Sequence, residues 1–151
     1  MIRAAPFFKY WLPVILWMAL IFSASSDSQS SRRSSRFIEP VVRWLKPDMS
    51  EESVRKIVLV VRKCAHVTEY AVLAVLLWRA RRGAATNRTG WTRAHAVFAL
   101  VVASLYSASD EIHQAFVPNR GASVADVCLD TVGAALGLLI VWWFVTKRGK
   151  K

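Results

Sequence analysis

The stretch SDEIHQAFVPNR, residues 109–120, decides how this chain folds. It concentrates titratable and amide side chains between two apolar runs, Ala96–Tyr106 and Val127–Val145. Charged groups near lipid are costly unless they are paired or used. We therefore expect this stretch to face other helices, either as a functional site or as a structural polar plug.

The composition predicts a small integral membrane protein with a single domain, residues 1–151. The chain has 151 residues, of which 54% are apolar, and it contains seven Trp and seven Phe residues. Its mean hydropathy is +0.30, which is high for an ordinary soluble domain. Four apolar runs are typical of transmembrane helices. A soluble helical domain with buried helices is the alternative.

The charge pattern predicts an orientation in the membrane. The formal net charge is +11, but the basic residues cluster beside the apolar runs. Such flanks set topology and contact anionic lipids, and no nucleic-acid-binding motif is visible. Basic segments at both termini and after the second run place all three in the cytoplasm, so that residues 109–120 face outward. The longer first loop is also basic, but its acidic residues dilute that signal.

The predicted fold is all-α, a bundle of four transmembrane helices with both termini cytoplasmic. The predicted helices cover residues 7–25, 50–82, 91–114 and 123–146. Residues 26–49 form a hydrophilic external loop, whose amphipathic part, 37–45, either lies along the membrane surface or is a plain connector. The first run also resembles a signal peptide, but its bulky Trp11 and Trp17 favour a retained helix.

Two local signals mark helix starts. Asp48, followed three residues later by Glu51, is typical of a capping box for the second helix. Ser123 with Asp126 indicates a cap on the last helix. Cys64 and Cys128 both fall near the outward ends of their helices, where either a disulfide or two inert buried thiols is compatible with the sequence.

Helix length predicts that polar groups of three helices meet at one depth. The apolar part of the third run, Ala94–Tyr106, covers only about 20 Å of helix, whereas the hydrocarbon core is roughly 30 Å thick. The third helix must therefore continue through Asp110. On the second helix, Glu69 borders the face that carries Lys63, His66 and Tyr70. An outward-facing pocket is predicted from Lys63, His66, Tyr70, Asp110, Glu111, His113, Gln114, Arg120, Asp126 and Asp130. Gly133 and Gly137 permit close approach of another helix.

These positions also carry a family resemblance. The pattern consists of Lys63-x-x-His66-x-x-x-Tyr70-x-x-Leu73, Ser109-Asp110-Glu111-x-His113-Gln114-x-Phe116-x-Pro118-x-Arg120, Ser123-Val124-x-Asp126 and Asp130-x-x-Gly133. With Trp17–Ser23 of the first run, it resembles the VanZ-like family. The resemblance implies a multi-pass bacterial protein of the cytoplasmic (inner) membrane with about four helices. The family's namesake is associated with resistance to the glycopeptide teicoplanin, and the resemblance implies no particular reaction.

Three functions are compatible with the predicted pocket. In the first, Lys63, His66 and Arg120 bind the phosphate of an anionic lipid or cell-wall precursor, with a link to glycopeptide resistance. In the second, a membrane hydrolase or transferase acts on a lipid-linked substrate, by metal or acid–base chemistry. Its catalytic candidates are His66, Asp110, Glu111 and His113, and its metal candidates are His66, Glu69 and His113. In the third, the polar groups only pair with one another. Membrane lipids are the expected partners; no cofactor and no nucleic acid is expected.

Overall fold

The structure, a computed structural model, describes residues 4–25, 30–85, 91–117 and 121–148. Within these ranges the regular structure is entirely helical, which confirms the predicted all-α class. The five helices are α1 (Ala4–Ser25), α2 (Ser30–Leu45), α3 (Glu51–Ala84), α4 (Arg93–Gln114) and α5 (Val124–Arg148). The four long helices lie within a few residues of the predicted bounds.

The segment predicted as an external loop contains a helix, α2, and that prediction is corrected. Phe37, Val41, Trp44 and Leu45 recur at helical spacing and are exposed on its surface. Apolar residues three and four apart share one face of a helix, so the Ser- and Arg-rich segment has an amphipathic pattern that favours helix over loop. The helix packs against α3.

The start of α3 differs from the predicted capping box. The N-cap is Ser50, whose Oγ accepts a hydrogen bond from the Ser53 backbone N–H at 3.3 Å. Asp48 lies in the preceding turn, too early to satisfy the first free N–H groups of the helix. The predicted cap of α5 is confirmed, because Ser123 Oγ accepts the Asp126 N–H at 3.2 Å.

Helix α3 is the central element of the bundle, since it packs against each of the other four helices. Its buried residues include Tyr70, Leu73 and Leu77. They belong to one apolar core that also receives Ile21 from α1 and Ala134 from α5. The core therefore joins the first helix to the last through α3.

Two glycines of α5 set its distance from α3. A Cβ atom added to Gly133 would lie 2.4 Å from the Val67 carbonyl oxygen, and one added to Gly137 would lie 2.5 Å from the Ala71 carbonyl oxygen. Both obstacles are backbone atoms, which no side-chain rotation can move. The Gly-xxx-Gly step therefore allows direct backbone contact between the two helices, as the sequence predicts.

The surface of α4 is the reverse of that of a helix in a water-soluble protein. Its exposed side includes Val97, Val101, Leu105 and Ile112. Its buried side carries polar residues at the C-terminal end: Ser107, Asp110, Glu111 and Gln114. An apolar outside with a polar inside is the pattern of a helix exposed to lipid.

By length and composition, two helical segments of the described residues qualify as candidate membrane spans, Phe8–Ser25 and Val124–Lys147. Helices α3 and α4 do not qualify, because their polar and charged residues lower their hydropathy. The all-α class is confirmed for the described residues, whereas the four-span bundle and its orientation stay predictions.

The glycine contact generates a first prediction. Gly133→Ala should lower the melting temperature in detergent by a few degrees, because overpacking costs about 1–3 kcal/mol. The higher helix propensity of alanine offsets about 1 kcal/mol of this. Gly121→Ala is the control, since a Cβ there meets nothing within 4 Å. Equal melting temperatures for the two variants would contradict the described contact.

Candidate functional site

A cleft of about 240 Å³ opens between α3, α4 and α5 at the end of the bundle where α4 ends and α5 begins. Its position follows from connectivity, because α5 begins only ten residues after the end of α4, so the end of one helix lies beside the start of the next. The lining residues are Leu59, Arg62, Lys63, His66, Glu111, Gln114, Gly121, Asp126, Leu129 and Asp130. The three helices named in the sequence prediction thus do contribute to one site.

The two sides of this cleft differ in charge. One side, the α3 wall, consists of Arg62, Lys63 and His66. Arg62 and Lys63 share a helix face with His66 because they precede it by four and three positions. The other side, the acidic wall, consists of Glu111, Asp126 and Asp130 from α4 and α5.

An ion pair between Lys63 and Asp126 joins the two walls. The Lys63 ammonium contacts a carboxylate oxygen of Asp126, and both side chains are partly exposed, at 43% and 37%. Solvent screening at such exposure keeps the net stabilisation small, typically below about 1 kcal/mol. The pair therefore positions the two walls more than it stabilises the fold.

Glu111 fixes the chain where it enters α5. The Glu111 Oε2 atom accepts a hydrogen bond from the backbone N–H of Ser123 at 2.8 Å. A carboxylate at a helix start is favoured because the N–H groups there carry partial positive charge. Glu111 thus ties the end of α4 to the start of α5 while it lines the cleft.

Asp130 lies at the bottom of the acidic wall and is almost fully buried, with 2% of its surface exposed. Its Oδ2 atom accepts a hydrogen bond from Ser107 Oγ at 2.7 Å. Its Oδ1 atom has no hydrogen-bond partner among the described residues. Asp110 Oδ1 is buried without a partner in the same way, so both carboxylates are only partly satisfied by the described residues, which is destabilising.

Asp110 does not line the cleft and instead binds α1. Its Oδ2 atom accepts hydrogen bonds from Ser25 Oγ at 2.8 Å and from Gln114 Nε2 at 2.9 Å. Ser25 and Asp110 are both buried. The last residue of α1 therefore belongs to a polar layer beneath the cleft, a role that the sequence analysis missed.

The candidate Tyr70 lies in the apolar core and not in the cleft. Tyr70 has 0% of its surface exposed and lies in the core, with its ring centroid 6.5 Å from that of Tyr106. Tyr106 in turn donates a hydrogen bond to the Met18 carbonyl at 2.7 Å. Tyr70 thus continues the face of Lys63 and His66 into the core and does not line the cleft.

The two candidate histidines are placed differently. His66 lines the cleft, and its Nδ1 atom lies 3.8 Å from Glu69 Oε2. His113 packs against the Phe22 ring of α1, with the ring centroids 4.6 Å apart, and is not a lining residue. In the part of the chain that the structure describes, no three His, Cys, Asp or Glu side chains are grouped as a metal site.

Arg120 lies outside the described residues, so its predicted phosphate-binding role is not examined by the structure. Arg62 is a cleft residue that was not among the predicted pocket residues. Its spacing of four from His66 was the available signal, since such residues share a helix face. Cys64 and Cys128 are exposed free thiols, so they are neither joined nor buried.

The comparison with protein families identifies the family of the chain. The VanZ/LLP1 family profile matches residues 10–145. The chain therefore belongs to the VanZ-like family, as its sequence pattern predicts. No curated protein and no solved structure matches the chain.

The hydrogen bond between α1 and α4 generates a second prediction. Ser25→Ala should destabilise the protein by about 1–3 kcal/mol, because it removes a donor from a buried carboxylate. Ser23→Ala is the matched control: Ser23 is exposed and bonds only to the Leu20 carbonyl of its own helix. Thermal unfolding in detergent measures both, and equal losses would contradict the buried Ser25–Asp110 contact.

Proposed function

We propose that this VanZ-like protein crosses the bacterial cytoplasmic membrane four times, through α1, α3, α4 and α5. Family membership and the two apolar helices α1 and α5 indicate a membrane protein. For α4, the support is its exposed apolar side and its length, since 22 residues cover about 33 Å of helix, enough for the hydrocarbon core. The core position of α3 among the other helices then requires it to cross as well.

The proposed orientation puts both termini in the cytoplasm and the cleft at the outer face. The end of α3 farthest from the cleft carries Arg79, Arg81 and Arg82, whose guanidinium groups lie 5.1–5.8 Å from aromatic ring centroids. Basic residues beside membrane spans are typical of the cytoplasmic side. In this orientation the exposed apolar face of α2 rests on the outer leaflet.

This orientation is the third prediction. A reporter fused after residue 151 should be active on the cytoplasmic side, and one inserted after Lys46 should be active on the outer side. Fusions of paired enzymatic reporters, one active only inside and one only outside, measure both positions in cells. Cytoplasmic activity of the reporter after Lys46 would contradict the proposed orientation, and activity of both reporters on the same side would contradict the three spans between them.

The cleft supports a binding function for the phosphate of a lipid headgroup or of a lipid-linked cell-envelope precursor. The observation that carries this proposal is the α3 wall, where Arg62, Lys63 and His66 lie together in a concave site. Arginine suits phosphate because its planar donors make two parallel hydrogen bonds. Leu59 and Leu129 also line the cleft and offer apolar contact to the remainder of a lipid.

Such binding would connect the protein to the cell envelope. A protein that holds a lipid headgroup or precursor at the outer leaflet changes how many of those groups a lipophilic glycopeptide can reach. This is the proposed link to teicoplanin-type resistance, which the family's namesake suggests. It requires binding but no chemical reaction.

Hydrolysis or transfer on a lipid-linked substrate is the second candidate function. The observation that favours it is the approach of His66 to Glu69 at 3.8 Å beside the cleft, since an imidazole with a neighbouring carboxylate can move a proton. Turnover of an added lipid-linked substrate by the wild type, abolished in His66→Ala, would support this function over simple binding.

The binding proposal gives the fourth prediction. Arg62→Ala should reduce the phospholipid that remains bound after purification in mild detergent by about tenfold, the value of one charge-assisted hydrogen-bonding group. Native mass spectrometry measures the bound lipid. Arg55→Ala is the matched control, because Arg55 lies two turns earlier on the same helix, is exposed and does not line the cleft.

Two outcomes would contradict the proposal. One is equal lipid retention by Arg62→Ala and Arg55→Ala, which would mean that the cleft does not bind phosphate. The other is a wild type that retains no phospholipid at all. A loss of folded protein in Arg62→Ala, measured by its melting temperature, would instead assign Arg62 a structural role.

A further inference from the structure

A second concave site lies between α4 and α5, at the end of the bundle opposite the cleft. It is a groove of about 480 Å³, which we call the apolar groove, and its lining residues include Trp91, Arg93, Val97, Leu100, Ala135 and Trp142. They come from residues 91–100, at the start of α4, and from residues 135–142 of α5. The cleft lies where α4 ends and α5 begins, so the two sites are separate.

Small side chains on both helices leave room for the groove. Ala96 of α4 and Ala135 of α5 line it, and their single methyl groups leave open a space that larger side chains fill elsewhere in packed helices. One wall is held by stacking, since the Trp91 ring lies against that of Trp78 with the centroids 5.7 Å apart. Trp78 is a buried residue of α3. The groove is therefore a part of the packed bundle.

The polarity of the groove changes along its length as that of a phospholipid does. Arg93 is exposed and is the first residue of α4. Trp91 and Trp142 line the groove too, and tryptophan is typical of the headgroup level of a membrane. Val97 and Leu100 follow on α4, and Leu100 lies about 10 Å along the helix from Arg93. One leaflet has a hydrocarbon depth of roughly 15 Å, so an acyl chain fits this distance with its headgroup beside Arg93.

The charge of the groove favours an anionic headgroup. Arg93 lines it, and no carboxylate does so in the part of the chain that the structure describes. The cleft differs, because three carboxylates form its acidic wall. A basic residue at a membrane surface attracts anionic lipids, and a guanidinium group can donate two parallel hydrogen bonds to a phosphate.

A second copy of the chain fits the groove less well than a lipid does. Two copies with the same orientation in a membrane are related by an axis along the membrane normal, so residues at equal depth meet in a symmetric interface. A pair built on this groove would bring two Arg93 side chains together, and like charges repel. The same guanidinium group attracts a lipid phosphate, which makes the lipid the better occupant.

We propose that the apolar groove binds one anionic phospholipid, with an acyl chain between α4 and α5 and the headgroup phosphate beside Arg93. In the proposed orientation this lipid belongs to the cytoplasmic leaflet. The site is additional to the cleft, and it rests on the proposal that α4 and α5 cross the membrane. Phosphatidylglycerol is the anionic probe, and phosphatidylcholine, which has no net charge, is its comparison.

Photolabelling from the acyl chain tests the site on the wild-type protein. Vesicles contain equal parts of the two lipids, one of which carries a diazirine group at mid-chain, and mass spectrometry maps the labelled residues. We expect labelled phosphatidylglycerol to modify Val97 and Leu100 about five times more than labelled phosphatidylcholine, the preference that one basic residue gives. Val101 is the internal control, because it is exposed next to Leu100 on α4 but does not line the groove.

The variant Arg93→Gln tests the headgroup contact. It removes the positive charge, so the preference for phosphatidylglycerol at Val97 should fall to that at Val101. Lys147→Gln is the matched control. It removes one positive charge at the same end of the bundle, from an exposed residue whose ammonium group lies 4.3 Å from the Trp143 ring centroid and outside the groove. Equal losses in the two variants would overturn the assignment to Arg93.

The variant Ala135→Phe tests the position of the acyl chain. Its larger side chain fills the groove, so labelling of Leu100 should be lost while labelling of Val101 persists. Leu136→Phe is the control, since Leu136 is the next residue of α5, is exposed and does not line the groove. Unchanged labelling of Leu100 in folded Ala135→Phe would overturn the proposed position. If that variant does not fold, the wild-type comparison still decides the inference.

Failure of this inference is distinguishable from failure of the proposed function. If Val101 and the groove residues all stay unlabelled, α4 does not lie in the bilayer, and the proposed four-span arrangement is refuted with the groove site. If Val97 and Leu100 show no more preference for phosphatidylglycerol than Val101 does, only the groove site is refuted. Phosphate binding in the cleft is then unaffected.

Discussion

Two buried carboxylates, Asp110 and Asp130, constrain the end of the bundle that holds the cleft more than any other groups. A carboxylate removed from water must be answered by donors or charge. The donors come from different helices: Ser25 of α1 binds Asp110, whereas Ser107 of α4 binds Asp130 of α5. These directional hydrogen bonds therefore fix the positions of α1, α4 and α5 relative to one another around α3. The apolar core alone would permit sliding, since its contacts are not directional.

Asp130 connects this structural layer to the cleft. Its Oδ2 atom accepts the hydrogen bond from Ser107, and the residue also lines the cleft. The same residue thus takes part in both the helix arrangement and the cleft. The glycine contact of α5 with α3 contributes, because it holds the two helices that carry Asp130 and the α3 wall close together.

Sequence reasoning predicted the helices and the residue layer, but not which residue faces which neighbour. Helix spans follow from apolar runs and end signals, which are local, and the bounds of α1, α3, α4 and α5 were close. How a helix is rotated about its axis depends on packing, which the sequence does not show. His113 and Asp110 were therefore both predicted to line the pocket. In the structure His113 packs on Phe22 of α1, and Asp110 accepts a hydrogen bond from Ser25.

The error at α2 has a similar cause. The composition of residues 26–49, rich in serine and arginine, resembles a loop, and the few apolar residues at helical spacing carried the opposing signal. Arg62 was left out of the predicted pocket although it lies four positions before His66 and shares its helix face. Periodicity was the better guide in both cases, since it reports which side chains share a surface.

The most direct test of the account is an experimental structure of the protein in a lipid bilayer. The account predicts lipid density in the cleft, with the phosphorus atom beside the α3 wall. A cleft closed by its own side chains, with ordered lipid only on the outer surface of the bundle, would contradict it.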